Sequence, residues 1–389
     1  MIARPRPFDV VHVSSAHPWT DNRVHRRSAA AAADAGYRTA LVAVRTADHG
    51  SDRDWSMPDP QTGVYVRRLP RRGRRLTRVV VGSVQAVTAA VGSRAHVVHL
   101  HDPELVWAVP LLRALGRRVV YDAHEDLPDQ VRGKAYLPSL LRPAAVALAH
   151  VVVRLASTAD TVVAATPAVA RRFPQGRTVV VRNLPVVRAA DELAPPPDVR
   201  PAAAVYLGSL SVSRGVDVLC DLAEPGVLPP GWRLVIAGPR EPGAGGGRLD
   251  RLADAGAIDV RGVLPPDAAR DLLLDARVGL LPLMPTPAYR NAIPTKLFEY
   301  MAAGLGIVAT DIPFWRALLD GHDCVQWVPP GDAASIADAI RRYDDDPDLL
   351  VRHAADGRAL VADRYRWECE ARRLVDVYTA MFPATPFPQ

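Results

Sequence analysis

Short valine-rich apolar runs alternate with longer alanine- and leucine-rich amphipathic stretches along almost the entire chain. The first kind suits strands buried on both faces and the second suits the helices that cover them, which is the rhythm of parallel sheets with helical crossovers. In the first half the pattern predicts strands at 8–15, 38–45, 63–69, 96–102, 118–125, 161–166 and 177–183, with helices at 24–35, 104–115 and within 140–157. That last stretch is very apolar, and Pro143 argues for a break or a helix start there. It reads as a buried or membrane-facing amphipathic helix rather than a span. After Asn183 the pattern stops at A-A-D-E-L-A-P-P-P-D-V-R-P, a proline-rich stretch without apolar period that reads as a linker. A second series predicts strands at 203–209, 232–238, 258–262, 278–283, 306–311 and 324–328. The expected fold class is α/β, with two doubly wound parallel-sheet domains, 1–187 and 203–365, joined by a linker at 188–202. Sheets of this kind bind ligands at the carboxyl ends of their strands, and two facing sheets would place a site in the cleft between them.

With 389 residues the chain has length for two such cores. Cys220, Cys324 and Cys369 lie far apart, without CxxC or Cys/His ligand spacing, so neither a disulfide framework nor a zinc site is indicated and a reducing cytoplasm fits best. The amino terminus runs into a strand pattern without the apolar stretch of a signal peptide, and no run reaches the length of a membrane span. The formal net charge is +6, part of it clustered at R-R-L-P-R-R-G-R-R-L-T-R, residues 67–78. Such a cluster could meet the phosphates of nucleic acid or of anionic lipid, or be a solvated loop. No aromatics interleave with it as a nucleic-acid stacking platform requires.

The candidate chemistry gathers at strand ends and helix starts. I-P-T-K-L-F-E-Y-M-A-A-G, residues 293–304, puts Lys296 and Glu299 one turn apart at a helix start. Thr295 can cap that helix and Pro294 stops it extending backward, so its first N–H groups and Lys296 suit an anion while Glu299 could accept from a ribose. The plainer alternative is an amphipathic helix with Leu297, Tyr300 and Met301 inward and a weak Lys296–Glu299 surface pair. The first strand leads into A-H-P-W-T-D-N-R-V-H-R-R, where Asp21 and Arg23 precede a helix in an anion-binding position, though without GxGxxG. His99 and His101 share a strand face but lack a third ligand at suitable spacing, and Asp122 and His124 share another beside Glu125. Each histidine is either a buried structural group or one that steadies a ligand. In the second domain Gly208 lets the backbone approach a ligand, and Arg214 before a helix start can neutralise a phosphate. If it converges with Lys296, the two cations make a diphosphate site. The glycine-rich stretch from Glu241 lacks the ending of a P-loop and reads as a flexible turn, while Asp344, Asp345 and Asp346 read as a solvated turn and helix cap rather than a metal motif.

Taken in order, D-N-R-V-H-R-R at Asp21, H-L-H-D-P-E at His99, Y-D-A-H-E at Tyr121, V-V-R-N-L-P at Val180, Y-L-G-S-L-S-V-S-R-G at Tyr206 and P-T-K-L-F-E-Y-M-A-A-G at Pro294 resemble family 4 glycosyltransferases of the GT-B fold. The resemblance implies two Rossmann-like domains facing a central cleft, with the C-terminal helix, about 366–389, packed back on the first and serving the hinge. It implies a hexosyltransferase-type enzyme that moves a sugar from a UDP- or GDP-sugar to an acceptor hydroxyl, retaining and metal-independent, with the leaving phosphate oxygen taking the acceptor proton. By the same resemblance Arg214, where the family more often shows lysine, and Lys296 hold the diphosphate above a turn of Gly208 and Ser209. Thr295 joins them, Glu299 takes the ribose as the second glutamate of E-x7-E, and His124 stands near the reacting centre. The first glutamate of that motif is replaced by Asn291, which offers a carbonyl and an amide but no charge. The alternatives are a nucleotide-sugar epimerase on the same fold and a non-catalytic nucleotide-sugar-binding protein. The implied partners are a nucleotide sugar and a lipid-linked, glycan or small-molecule acceptor, without nucleic acid. The implied location is the cytoplasm, with peripheral contact to an anionic inner membrane face compatible with the basic cluster.

Overall fold

The computed structural model describes residues 8–46, 55, 57–73, 77–132, 138, 140–187, 194–290 and 292–382. The chain divides into two compact units, one of Met1–Asn183 with Trp367–Gln389 and the other of Leu184–Arg366.

The first unit is built on a seven-stranded sheet of β1 (Val10–Pro18), β2 (Thr39–Val44), β3 (Tyr65–Leu69), β4 (Val97–Leu100), β5 (Arg118–Ala123), β6 (Thr161–Ala164) and β7 (Thr178–Val180). The spatial order is β3-β2-β1-β4-β5-β6-β7 and all pairs are parallel. The register sets His12 of β1 beside His99 of β4. The valines of β1, β4 and β5 are buried because helices cover both faces. One cover is the C-terminal helix Trp367–Thr379, whose Leu374, Val377 and Tyr378 pack on Val10, Val97 and Val120. Its Glu370 is fully buried and accepts from the backbone N–H and the guanidinium of Arg182.

The second unit carries a six-stranded sheet of β8 (Ala203–Leu207), β9 (Arg233–Ala237), β10 (Asp259–Val260), β11 (Val278–Leu281), β12 (Gly306–Thr310) and β13 (Gln326–Val328). Its spatial order is β10-β9-β8-β11-β12-β13, and all pairs are parallel. Asp346 closes one helix and caps the next, accepting from the N–H of Leu349 at 2.8 Å, as its turn composition predicts.

The helix Arg142–Ala156 begins at Pro143's turn and, of its two open readings, is not the buried one: Leu148 is 64% and Val151 52% exposed, and only Ala149 and Ala156 are buried. No helix among the described residues is long and apolar enough to cross a membrane. The chain divides between Asn183 and Leu184, just upstream of the proline-rich stretch. Residues 188–193 lie outside the described residues, but Arg200 is buried and donates to the carbonyls of Pro195, Ala276 and Ala303, which fastens its segment to the second unit.

Candidate active site

In the second unit the polar groups collect at the carboxyl end of β8. Gly208 follows the strand without a side chain, and a Cβ there would meet the Tyr206 hydroxyl at 2.9 Å and a terminal nitrogen of Arg214 at 3.6 Å. Burial pushes the Tyr206 phenol up to about 12, so it stays protonated and donates to the Ser209 carbonyl at 2.8 Å, shaping the turn. Arg214 ends the short 3-10 turn Val212–Arg214, and its Nε donates to the Tyr289 hydroxyl at 3.1 Å. The turn depends on Gly215, which has φ +80°; a Cβ there would stand 2.1 Å from the Pro282 carbonyl oxygen.

The helix Thr295–Ala302 is pinned to the same strand end, because the Leu207 N–H donates to the Tyr300 hydroxyl at 2.9 Å. Leu297, Phe298, Tyr300 and Met301 are fully buried, leaving Lys296 and Glu299 on the outer face. There the two pair with each other at 2.6 Å, as the plainer reading has it, with side chains 34% and 22% exposed. Thr295 is not the cap that its hydroxyl suggests. It is the first helical residue, and Pro294 holds the cap position with an extended backbone, accepting from the Leu297 N–H through its carbonyl at 2.9 Å but with no side-chain acceptor to offer. Asn291 lies outside the described residues.

In the first unit the corresponding strand ends hold a buried polar network around Asp122. Arg23 grips both oxygens of this carboxylate, at 2.6 and 3.2 Å, and the Nδ1 of His101 and Nε2 of His124 approach Oδ2 at 3.0 and 3.2 Å. Burial alone would raise Asp122, but the Arg23 guanidinium and the two histidines hold it well below the usual carboxylate range. One set of tautomers then satisfies the remaining chain of contacts. His101 donates to Asp122, His12 Nδ1 donates to His101 Nε2 at 2.9 Å, the Tyr378 hydroxyl donates to His12 Nε2 at 3.4 Å, and His99 Nδ1 donates to Tyr378 at 2.7 Å. Burial lowers all three histidines, which keeps them neutral as this arrangement requires.

Asp21 and Arg23 are therefore engaged by their own unit. Asp21 accepts from the N–H groups of Arg23 and Val24, both at 2.8 Å, so the anion at this helix start is the chain's own carboxylate. Its other oxygen meets His17 at 3.2 Å. Against the opposing effect of burial, Asp21, Asp102 and Asp122 raise His17 to about 9, which makes it a cation at neutral pH. Its ring stacks on that of His124, centroids 5.5 Å apart. Asp102 fixes the end of β1, accepting from Ser14 Oγ at 2.7 Å and the Ser15 N–H at 2.6 Å.

His12, His17, Asp102 and Tyr378 take part without being singled out by the sequence. The third imidazole that His99 and His101 lack in sequence comes from His12 through the β1–β4 register. Ligand atoms of the three lie within 4.8 Å of one another, as do those of His101, Asp122 and His124. The nitrogens of His12 and His101 are spent on each other, on Tyr378 and on Asp122, whereas among the described residues His99 Nε2 and His124 Nε2 are buried without a hydrogen-bond partner.

Comparisons with known proteins agree with this architecture. The family model described as glycosyl transferase 4-like domain matches residues 22–187, and that described as glycosyl transferases group 1 matches residues 201–346. A phosphatidyl-myo-inositol mannosyltransferase of Mycobacterium leprae (strain TN) is 28% identical over 181 residues, 45% of this chain and 45% of that protein, so the match spans under half the length of either. Among solved structures, sucrose-phosphate synthase from Thermosynechococcus elongatus superposes over 97% of this chain and 100% of its own at 19% identity and a TM-score of 0.72. Anabaena HepE in complex with UDP and glucose does so over 96% and 100% at 14% identity and a TM-score of 0.66. At such identities the structural likeness speaks for the fold.

Proposed function

Since the chain belongs to the family 4 glycosyltransferases of the GT-B fold, we propose that it transfers a sugar from a nucleoside-diphosphate sugar, UDP- or GDP-linked, to an acceptor hydroxyl with retention and without a metal ion. The observation that carries this reading is the pair of cations at one strand end. The Arg214 guanidinium lies against Gly208, and Lys296 opens the helix that Tyr300 pins to Leu207. Gly208 and Ser209 give the diphosphate room, Arg214 and Lys296 supply the charge that a metal would otherwise bring, and uncapped N–H groups at Thr295 add to it. Glu299 exchanges Lys296 for the ribose hydroxyls, and Asn291 grips the sugar by hydrogen bonds. The bond from the anomeric carbon to the phosphate oxygen breaks as the acceptor oxygen attacks, and the acceptor proton passes to the departing phosphate. His124, oriented by Asp122, steadies the reacting sugar. Asp21 and Arg23 act at one remove, through His17 and Asp122.

The relative that acts on phosphatidyl-myo-inositol by its name favours a lipid-linked acceptor met at the cytoplasmic membrane face. The test is a panel of UDP- and GDP-sugars with lipid, glycan and small-molecule acceptors, reading nucleoside diphosphate release and product mass. One donor class is expected to yield an acceptor-dependent product. An isomerised donor formed without acceptor would instead make the protein an epimerase, and binding without turnover across the panel would make it a sugar-nucleotide-binding protein.

A further inference from the structure

The carboxyl ends of β1, β2 and β3 enclose a cavity of about 410 Å³ that the donor chemistry leaves unused. Its walls come from Ser15, Ala16 and Pro18 in the last part of β1, from Val44, Arg45 and Thr46 at the end of β2, from Leu69 to Arg72 at the end of β3, and from Arg78 and Gly82 of the following helical turn. That size suits a small ligand or the headgroup of a larger one. Among the described residues four arginines and no carboxylate line it. Arg72 spends a terminal nitrogen on the neutral Gln85 at 3.0 Å, and its buried Nε–H has no acceptor among the described residues. The Nε of Arg78 is also buried, 3.4 Å from Glu104 but without hydrogen-bond geometry. Buried donors of this kind are costly unless an acceptor satisfies them.

We infer that this cavity binds a phosphoryl group carried by the acceptor, an inference that rests on the glycosyltransferase reading above. A carboxylate would be matched by a single bidentate arginine, whereas a phosphate ester brings more oxygens and up to two charges, which several guanidinium groups can share. His17 is not itself a wall residue, but it sits in the chain between the wall residues Ala16 and Pro18 and stacks on His124. A phosphate held by the arginines therefore sits at the strand end that carries His17, from which the rest of the acceptor extends. Beyond Arg78 the same helical turn exposes Val80 at 61% and Val81 at 40%, with Val84 at 49% one turn on, an apolar margin suited to a lipid-borne phosphate.

The experiment first establishes UDP binding and then, with UDP saturating, titrates inorganic phosphate into the wild type, Arg71→Ala/Arg72→Ala and Arg72→Lys. Wild-type phosphate affinity is expected to fall about tenfold or more in the double variant and less in the lysine variant, with UDP affinity unchanged. Parallel sedimentation uses phosphatidylcholine vesicles with and without phosphatidylinositol. Capture by the anionic vesicles that the double variant and Val80→Ser/Val84→Ser both lose assigns a lipid-borne phosphate. Phosphate binding without vesicle capture assigns a soluble phosphoester. Absence of both, or equal affinity in wild type and double variant, overturns the proposal. If UDP fails to bind while phosphate binding still depends on these arginines, the donor reading falls and the cavity assignment stands.

Discussion

Lys296→Ala is expected to lower sugar transfer by about 10²–10³-fold while leaving the fold intact, the cost of removing one preorganised donor from a developing phosphate charge. The variant should fold because Lys296 is partly exposed, and the inward face of its helix, Leu297, Phe298, Tyr300 and Met301, is untouched. Arg214→Ala should cost a similar factor and also lose the contact with Tyr289, whereas Arg214→Lys should recover much of the activity because the charge survives. Glu299→Gln is the informative control. It frees Lys296 from its 2.6 Å partner, so it should weaken nucleotide binding through the ribose without repeating the loss in turnover at saturating donor. Steady-state kinetics with nucleotide titrations of each variant check this. Equal loss in KM and in kcat for all three would assign them one shared role instead of two.

The second large effect concerns stability and follows from the buried network. Asp122→Ala should destabilise the first unit by about 3–5 kcal/mol, because the Arg23 guanidinium loses its bidentate partner where its side chain is only 11% exposed. Arg23→Met added to Asp122→Ala should restore part of that, which urea unfolding of the single and double variants measures. The pH dependence follows from the same groups. His12, His99 and His101 have lowered values in the folded chain, so the unfolded chain binds more protons below about 6.5. Stability should therefore fall as pH drops from there, by up to about 1.4 kcal/mol per pH unit for each histidine. Asp122 and Asp21, held low by their partners, add to the loss below about 4. His17 has the opposite sign: its contribution is complete below its unfolded value and is lost as pH rises through about 9. The maximum should thus sit near pH 6.5–7, steeper on the acid side. A stability profile flat from pH 5 to 8 would contradict the neutral-histidine assignment.

The strands were legible because each is a short apolar run bounded by turns, and the pattern from residue 8 to 328 needs only local information. Their ends were less so: β10 keeps only Asp259 and Val260 of its expected run, since strand length depends on what the neighbour can pair. Local composition also named Lys296, Glu299, Arg214 and Gly208, which lie within a few residues of a strand end or helix start. It could not name the groups that parallel pairing delivers from afar. His12 meets His99 only through the β1–β4 register, and Tyr378 reaches His12 across 366 residues of sequence. Thr295 shows the limit of a local rule, since the preceding proline takes the cap position for steric reasons. The apolar stretch within 140–157 likewise has core composition but an exposed setting, because hydrophobicity alone does not say what a helix packs against.

The central claim is that a nucleoside diphosphate is held at the carboxyl end of β8. Hydrogen–deuterium exchange of the wild-type protein with and without UDP tests it most directly, with GDP in parallel. The account predicts that the nucleotide which binds slows exchange in residues 206–215 and 295–302. Protection confined to the Asp122 network at 99–124, or no protection by either nucleotide at saturating concentration, would contradict it.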